Sequence, residues 1–189
     1  MVEIRAVDAG CRDALAELFT ANGTVAGCGC MFFVADAAEF KAGWHSRANR
    51  DRLLEDAASE PPIGLLAYRA GRAVGWCAAG PRARYARALR SKLLSGREEA
   101  EDGSVWFLPC LFVRAGERRT GVAAELLVAA VEAARAHGAP AVEGFPLSGG
   151  ERRNPGDAYL GTEAMFAAAG FEVVTRPTPN RVVMRRALT

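Results

Sequence analysis

Residues 105–127 constrain the fold more than any other stretch. Val105 to Val113 is a near-continuous apolar run, which predicts a strand buried on both faces. Pro109 lies inside it and cannot donate to a ladder, so a bulge or a splayed edge is expected there. The run passes into a short cationic segment, Arg114 to Thr120. Gly121 to His137 then reads as an amphipathic helix with Leu126, Leu127, Ala130, Val131 and Ala134 on one face. His137 falls in its last turn and Gly138 suits the cap beyond. A strand feeding a glycine-containing loop and a long helix leaves unpaired N–H groups and a partial positive charge at the helix N-terminus. Such an end receives anions. Gly121 and Ala123 leave the backbone open to approach, and Arg118 and Arg119 add full charges beside it. Local features alone allow two readings, a pyrophosphate cradle or a plain strand-to-helix connection with solvated arginines.

The rest of the chain supplies a sheet around this unit. Val2 to Val7 alternates as a short strand. Asp8 is placed to cap a helix over Cys11 to Ala21, broken by Gly23, Gly27 and Gly29. A second helical region is expected from Ala37 to Ala58, with a turn within the polar stretch Ser46 to Asp51. Ile63 to Arg69 and Ala73 to Ala79 form a hairpin about Ala70-Gly71-Arg72. Arg82 to Leu94 reads as a basic helical segment, and Ser95 to Gly103 as an acidic linker. Ala141 to Phe145 is a strand, Leu147 to Asp157 a loop, and Tyr159 to Ala169 a short helix. Two last strands, Phe171 to Thr175 and Arg181 to Ala187, flank a turn at Pro177 to Asn180.

A length of 189 residues predicts one domain. The formal net charge of +2 is too small to argue for nucleic acid. Five cysteines, an odd number in a chain of this size, favour reduced thiols in a cytosol. The first residues hold no apolar stretch of signal-peptide length, and Val105 to Val113 is far short of the ~20 residues that a membrane helix needs. A soluble cytoplasmic protein, with no membrane partner, is the expectation.

Arg118-Arg119-Thr120-Gly121-Val122-Ala123 resembles the (Gln/Arg)-x-x-Gly-x-(Gly/Ala) motif of the GCN5-related N-acetyltransferases (GNAT). Leu111-Phe112-Val113 resembles that family's fourth strand. Ala164 to Phe171 resembles its fourth helix with the Gly-Phe that follows, and the hairpin at 63–79 is also typical. The resemblance covers nearly the whole chain. It implies an α/β (α+β) fold: a mixed, mostly antiparallel sheet flanked by helices and splayed between the fourth and fifth strands. Acetyl-CoA would be the cosubstrate. Its pantetheine arm would lie in the splay against the backbone of Leu111, Phe112 and Val113 like an added strand. Its pyrophosphate would meet the N–H groups of Arg119, Thr120, Gly121, Val122 and Ala123, beside Arg118. The partner would be an amine of a small molecule or protein, acetylated by a monomer or homodimer.

The catalytic positions depart from the family pattern. The frequent general-acid tyrosine falls at Phe166, which cannot donate a proton and is left as a cofactor-side residue, so Tyr159 is the substitute candidate. The acidic residue often found on the fourth strand falls at Cys110, a thiol able to act as base or acyl carrier if its pKa were low, and otherwise a small hydrophobe. Glu143 is the base candidate, with a strand carboxylate paired to an arginine as the alternative. Cys28-Gly29-Cys30 invites a metal reading with His45 or Cys11, but no second pair of ligands accompanies it, and no metal is expected. The cluster Arg82, Arg84, Arg87, Arg90 and Lys92 reads as a solvated face balanced by Glu98, Glu99, Glu101 and Asp102. An acyl-CoA-dependent N-acetyltransferase is the leading reading. A non-catalytic acyl-CoA sensor, or a cysteine-based metal or redox protein, are its rivals.

Overall fold

The computed structural model describes residues 2–149, 157 and 159–188. Its strands are β1 (Glu3–Ala6), β2 (Gly64–Arg69), β3 (Arg72–Pro81), β4 (Trp106–Val113), β5 (Ala141–Gly144), β6 (Glu172–Thr178) and β7 (Arg181–Ala187). They form one seven-stranded sheet in the order β1-β2-β3-β4-β5-β7-β6. Every pairing is antiparallel except β4 with β5. The helix α6 (Val122–Ala136) makes the crossover between that parallel pair. Val122, Leu126, Leu127, Ala130, Val131 and Ala134 of α6 are buried, packed with Leu65, Val74 and Leu111 from the sheet. On the opposite face lie α1 (Arg12–Leu18), α2 (Gly23–Cys28), α3 (Ala37–Ser46) and α4 (Ala48–Glu55). Leu15, Leu18, Leu53 and Phe19 there enclose Trp76 and Phe112.

Three expectations change. Gly23 does not end a helix but begins α2, because the Asn22 side chain accepts from the N–H of Val25 and caps it. Within α2, a Cβ on Gly27 would stand 2.6 Å from the Trp44 ring, so the small residue permits close packing rather than a break. The basic segment 82–94 is not one helix; only α5 (Ala86–Leu89) is α-helical, between two short 3-10 turns. Its N–H groups are drawn to distant partners instead: Arg82 to the Val105 carbonyl at 2.8 Å, Ala83 to Asp102 at 2.7 Å and Arg87 to Phe33 at 3.0 Å. Finally, α7 spans Glu163–Ala168, capped by Thr162, so Tyr159 precedes the helix. Of the predicted Leu147–Asp157 loop, residues 150–156 lie outside the described residues.

The turn expected within Ser46 to Asp51 is at Arg47, whose φ of 71° separates α3 from α4. The irregularity expected at Pro109 is also present. Ala78 faces Cys110 while Gly80 faces Phe107, so β4 carries one residue more than β3 across this step.

Candidate functional site

β4 and β5 pair only at Trp106–Val142, Phe107–Glu143 and Leu108–Gly144. Beyond Leu108, β4 runs on to Val113 paired with β3 alone. Cys110 to Val113 therefore present a strand edge that β5 leaves uncovered, and the sheet splays where the bulge sits. Gly144 marks the parting: a Cβ there would meet Phe166 Cε1 at 2.3 Å.

A cavity of ≈ 690 Å³ opens on the α6 side of this splay. Leu111, Val113, Arg118, Arg119, Gly121, Val122 and Ala123 line it, with Gly161, Thr162 and Met165 across from them. Arg119 and Gly121 both have positive φ, 61° and 90°. A side chain at +90° is strained, which suits glycine to the helix N-cap. Among the described residues the N–H groups of Arg119, Thr120 and Gly121 make no hydrogen bond. In the first turn of α6 the N–H groups of Val122 and Ala123 are likewise unbonded, whereas those of Ala124 and Glu125 donate to the Gly121 carbonyl at 2.9 and 3.0 Å. The loop thus offers unspent donors at the positive end of a fifteen-residue helix.

The structure brings most of the expected cofactor residues together, with three refinements. The Thr120 hydroxyl is turned away, donating to the Glu117 carbonyl at 2.7 Å, so only its backbone remains available. Phe112 alternates to the other sheet face, where its side chain packs beside Trp76. Phe166 does not line the cavity. It is fully buried in the core, edge-on to Phe171 at 5.0 Å, while its neighbour Met165 reaches the cavity.

A second cavity of ≈ 550 Å³ lies across β4 on the α1–α4 side. Phe33, Phe40, Trp44, Leu93, Phe112 and Phe145 are among its walls, with Cys28, Cys30, Pro109 and Cys110. Asp157 and Tyr159 line both cavities, so the two meet there. The Tyr159 ring stands edge-on to Phe112 at 5.7 Å. Asp157 is buried and accepts from Arg181 Nη2 at 2.5 Å.

Three thiols converge beneath this second cavity. The Trp76 indole N–H donates to Cys30 Sγ at 3.3 Å. The Cys110 thiol, the Trp76 N–H and the Arg84 charge together hold the Cys30 pKa below its ordinary value, against the opposing effect of burial. The same contact with Cys30, reinforced by burial, pushes the Cys110 thiol well up. Burial pushes Cys28 up to about 12. A thiol whose pKa is raised in this way accords with the reading of Cys110 as a small hydrophobe. Among the described residues no three His, Cys, Asp or Glu side chains converge as metal ligands. No helix among them is long and apolar enough to cross a membrane.

Glu143 takes the ion-paired alternative. It is 5% exposed, accepts from Arg82 Nη1 at 2.7 Å and Arg185 Nη1 at 2.9 Å, and lines neither cavity. Both of its carboxylate oxygens are thus occupied by guanidinium groups. Arg82 is likewise no surface residue. It is wholly buried and also binds Asp102 at 2.8 Å and the Glu98 carbonyl at 2.6 Å. The site features missed in the sequence, the cavity positions of Thr162 and Met165 and the Asp157–Arg181 pair, are assembled by long-range packing.

Residues 30–145, more than half of the chain, match the Acetyltransferase (GNAT) family. Sequence comparison with curated proteins returns no match. Solved structures share the whole architecture. A polyamine N-acetyltransferase from Drosophila melanogaster, which forms N-acetylagmatine, is similar with a TM-score of 0.57 at 16% identity, covering 100% of both chains. PaiA N-acetyltransferase from Thermoplasma acidophilum, in complex with coenzyme A, gives 0.53 at 11% identity over 99% of both. YncA from Salmonella typhimurium, with its cofactor acetyl-CoA, gives 0.54 at 16% identity, covering 100% of this chain and 94% of that one. At these identities the likeness is one of fold, and with the match in sequence it places the chain in the GNAT acetyltransferase family.

Proposed function

We propose that the protein transfers the acetyl group of acetyl-CoA to a primary amine. The observation that carries this reading is the pair of cavities on opposite sides of β4, joined at Asp157 and Tyr159 beside the splay. One offers phosphate donors and an uncovered strand edge. The other offers a mainly apolar space for an acceptor. The structures of PaiA with coenzyme A and YncA with acetyl-CoA support the choice of cosubstrate.

On this reading the uncovered backbone of Leu111 to Val113 pairs with the pantetheine amides. The amides of Arg119 to Ala123 and the charges of Arg118 and Arg119 hold the pyrophosphate. A backbone N–H beside the Pro109 bulge is placed to stabilise the developing oxyanion. Tyr159, at the junction, donates its proton to the departing thiolate and recovers one from the attacking nitrogen, whose N–H bond breaks as the amide forms. Glu143 and Phe166 have no part in the chemistry. The apolar acceptor cavity itself favours the neutral, nucleophilic form of the amine by desolvation.

Calorimetric titration with acetyl-CoA tests the assignment. Wild type is expected to bind in the micromolar range. Gly121→Glu and Ala123→Glu, each placing a carboxylate at the cradle, are expected to abolish binding while keeping the wild-type circular dichroism spectrum. Ala123 is helical, so its variant avoids the backbone strain of position 121. A wild type that does not bind would reduce the cradle to a structural turn.

A further inference from the structure

Resting on that reading, we infer that the acceptor is a small arylalkylamine, a primary amine on an uncharged aromatic body. The second cavity is lined by rings already fixed against one another. Phe33 stands edge-on to Phe145 at 5.1 Å and Phe40 to Trp44 at 5.6 Å. Such walls offer an aromatic body complementary edge-to-face contacts. A space of ≈ 550 Å³ takes a compact amine rather than a folded chain.

The polar groups around this cavity select against other amines. Among the described residues, the one carboxylate in its walls, Asp157, is already bound by Arg181. The Arg87 guanidinium lies 4.3 Å over the Phe32 ring and 5.6 Å from that of Phe40, so these rings already face a cation. The second ammonium of a polyamine would meet apolar walls, with the like charges of Arg181 in the lining and Arg87 behind the Phe32 and Phe40 rings and, among the described residues, no further acid. A polyhydroxylated amine would leave hydroxyls without partners. The acceptor class thus differs from that of the polyamine enzyme whose fold the chain shares.

The test measures acetylated product by mass spectrometry for phenethylamine, tryptamine, spermidine, lysine and kanamycin, with acetyl-CoA binding measured separately. The two arylalkylamines are expected to exceed the rest in kcat/KM by roughly 100-fold, about the discrimination that an apolar pocket gives per misplaced polar group. Leu93→Glu puts an acid in the wall at a half-buried position. It is expected to shrink the phenethylamine-to-spermidine ratio about tenfold, one of a carboxylate's modest electrostatic effects at partial exposure, with acetyl-CoA affinity unchanged. Equal or greater turnover of the polar amines, of peptide N-termini alone, or of no amine despite cosubstrate binding would each overturn the arylalkylamine assignment while leaving the cofactor site standing. So would an unmoved ratio in folded Leu93→Glu. A protein that does not bind acetyl-CoA would remove the underlying function and this inference together.

Discussion

Arg82 donates to Glu143 at 2.7 Å, and both side chains are buried. The pair belongs to a longer chain of charges. Arg185 binds the second Glu143 oxygen at 2.9 Å and both oxygens of Glu101 at 2.7 and 2.9 Å, while Arg82 also binds Asp102. These contacts fasten the acidic segment before β4 to the sheet. Removing one partner of a buried pair leaves an uncompensated charge and costs about 3–5 kcal/mol. Arg82→Ala is therefore expected to lower the melting temperature by roughly 10 °C, given about 2–4 °C per kcal/mol at this chain length. Glu143→Gln is expected to lower it too, yet to retain turnover per folded molecule. Loss of about 10²-fold or more in kcat in the folded Gln variant, the range a general base contributes, would return Glu143 to the chemistry.

That pair also shows where reading residues in order stops. Periodicity placed all seven strands and the long helix; β2 to β5, β7 and α6 bury apolar faces, whereas β1 and β6 are edge strands that remain largely exposed. The Pro109 bulge was legible because a missing N–H is a covalent fact. Arg82 was not, since an arginine among arginines looks solvated until Asp102, Glu143 and the Glu98 carbonyl converge on it. Tyr159 was placed in a helix because Tyr159 to Ala169 is continuous in pattern. The Thr162 side chain, which accepts from the Met165 N–H at 3.2 Å, starts that helix later. The cradle was found from its glycine and arginines, whereas the acceptor cavity draws its walls from segments scattered between Phe19 and Arg181.

Gly144 is expected to tolerate no side chain. A Cβ would sit 2.3 Å from Phe166 Cε1 and 2.9 Å from its Cζ, and Phe166 is fully buried against Phe171. The ring has no open space to enter, so Gly144→Ala overpacks the point where β4 and β5 part. Overpacking of this kind costs about 1–3 kcal/mol. Thermal denaturation of Gly144→Ala should show that loss. Gly144→Ala combined with Phe166→Leu should recover part of it. No recovery in the double variant would place the cost elsewhere than in the contact with Phe166.

Tyr159 lies at the junction of the two cavities, and its ring packs on Phe112. Tyr159→Phe keeps that packing and removes only the hydroxyl. As proton donor to the leaving thiolate, Tyr159 should be felt in kcat rather than in binding. A fall of about 10²-fold in kcat with acetyl-CoA affinity preserved is expected. An unchanged kcat with phenethylamine would assign the proton to solvent and leave Tyr159 as a wall of the site.

Cys28 and Cys30 stand two residues apart and are driven in opposite directions. Burial holds the Cys28 proton up to about 12, while the Cys110 thiol, Trp76 and Arg84 draw the Cys30 pKa down. The thiolate is the reactive form, so the folded-state pKa sets the pH at which alkylation begins. With its pKa lowered, Cys30 keeps its thiolate to lower pH than an ordinary thiol and loses it as pH falls through the depressed value. Near neutral pH, iodoacetamide should modify Cys30 at least about tenfold faster than Cys28 or Cys110, read by peptide mass mapping. Cys110→Ala removes the largest of the three influences on Cys30. It should move the midpoint of the Cys30 rate profile to higher pH, toward the ordinary value, while Trp76 and Arg84 hold part of the shift. A profile unmoved by Cys110→Ala would show that Cys110 does not govern Cys30. Uniform modification of the three thiols would show that none of these contacts sets their reactivity.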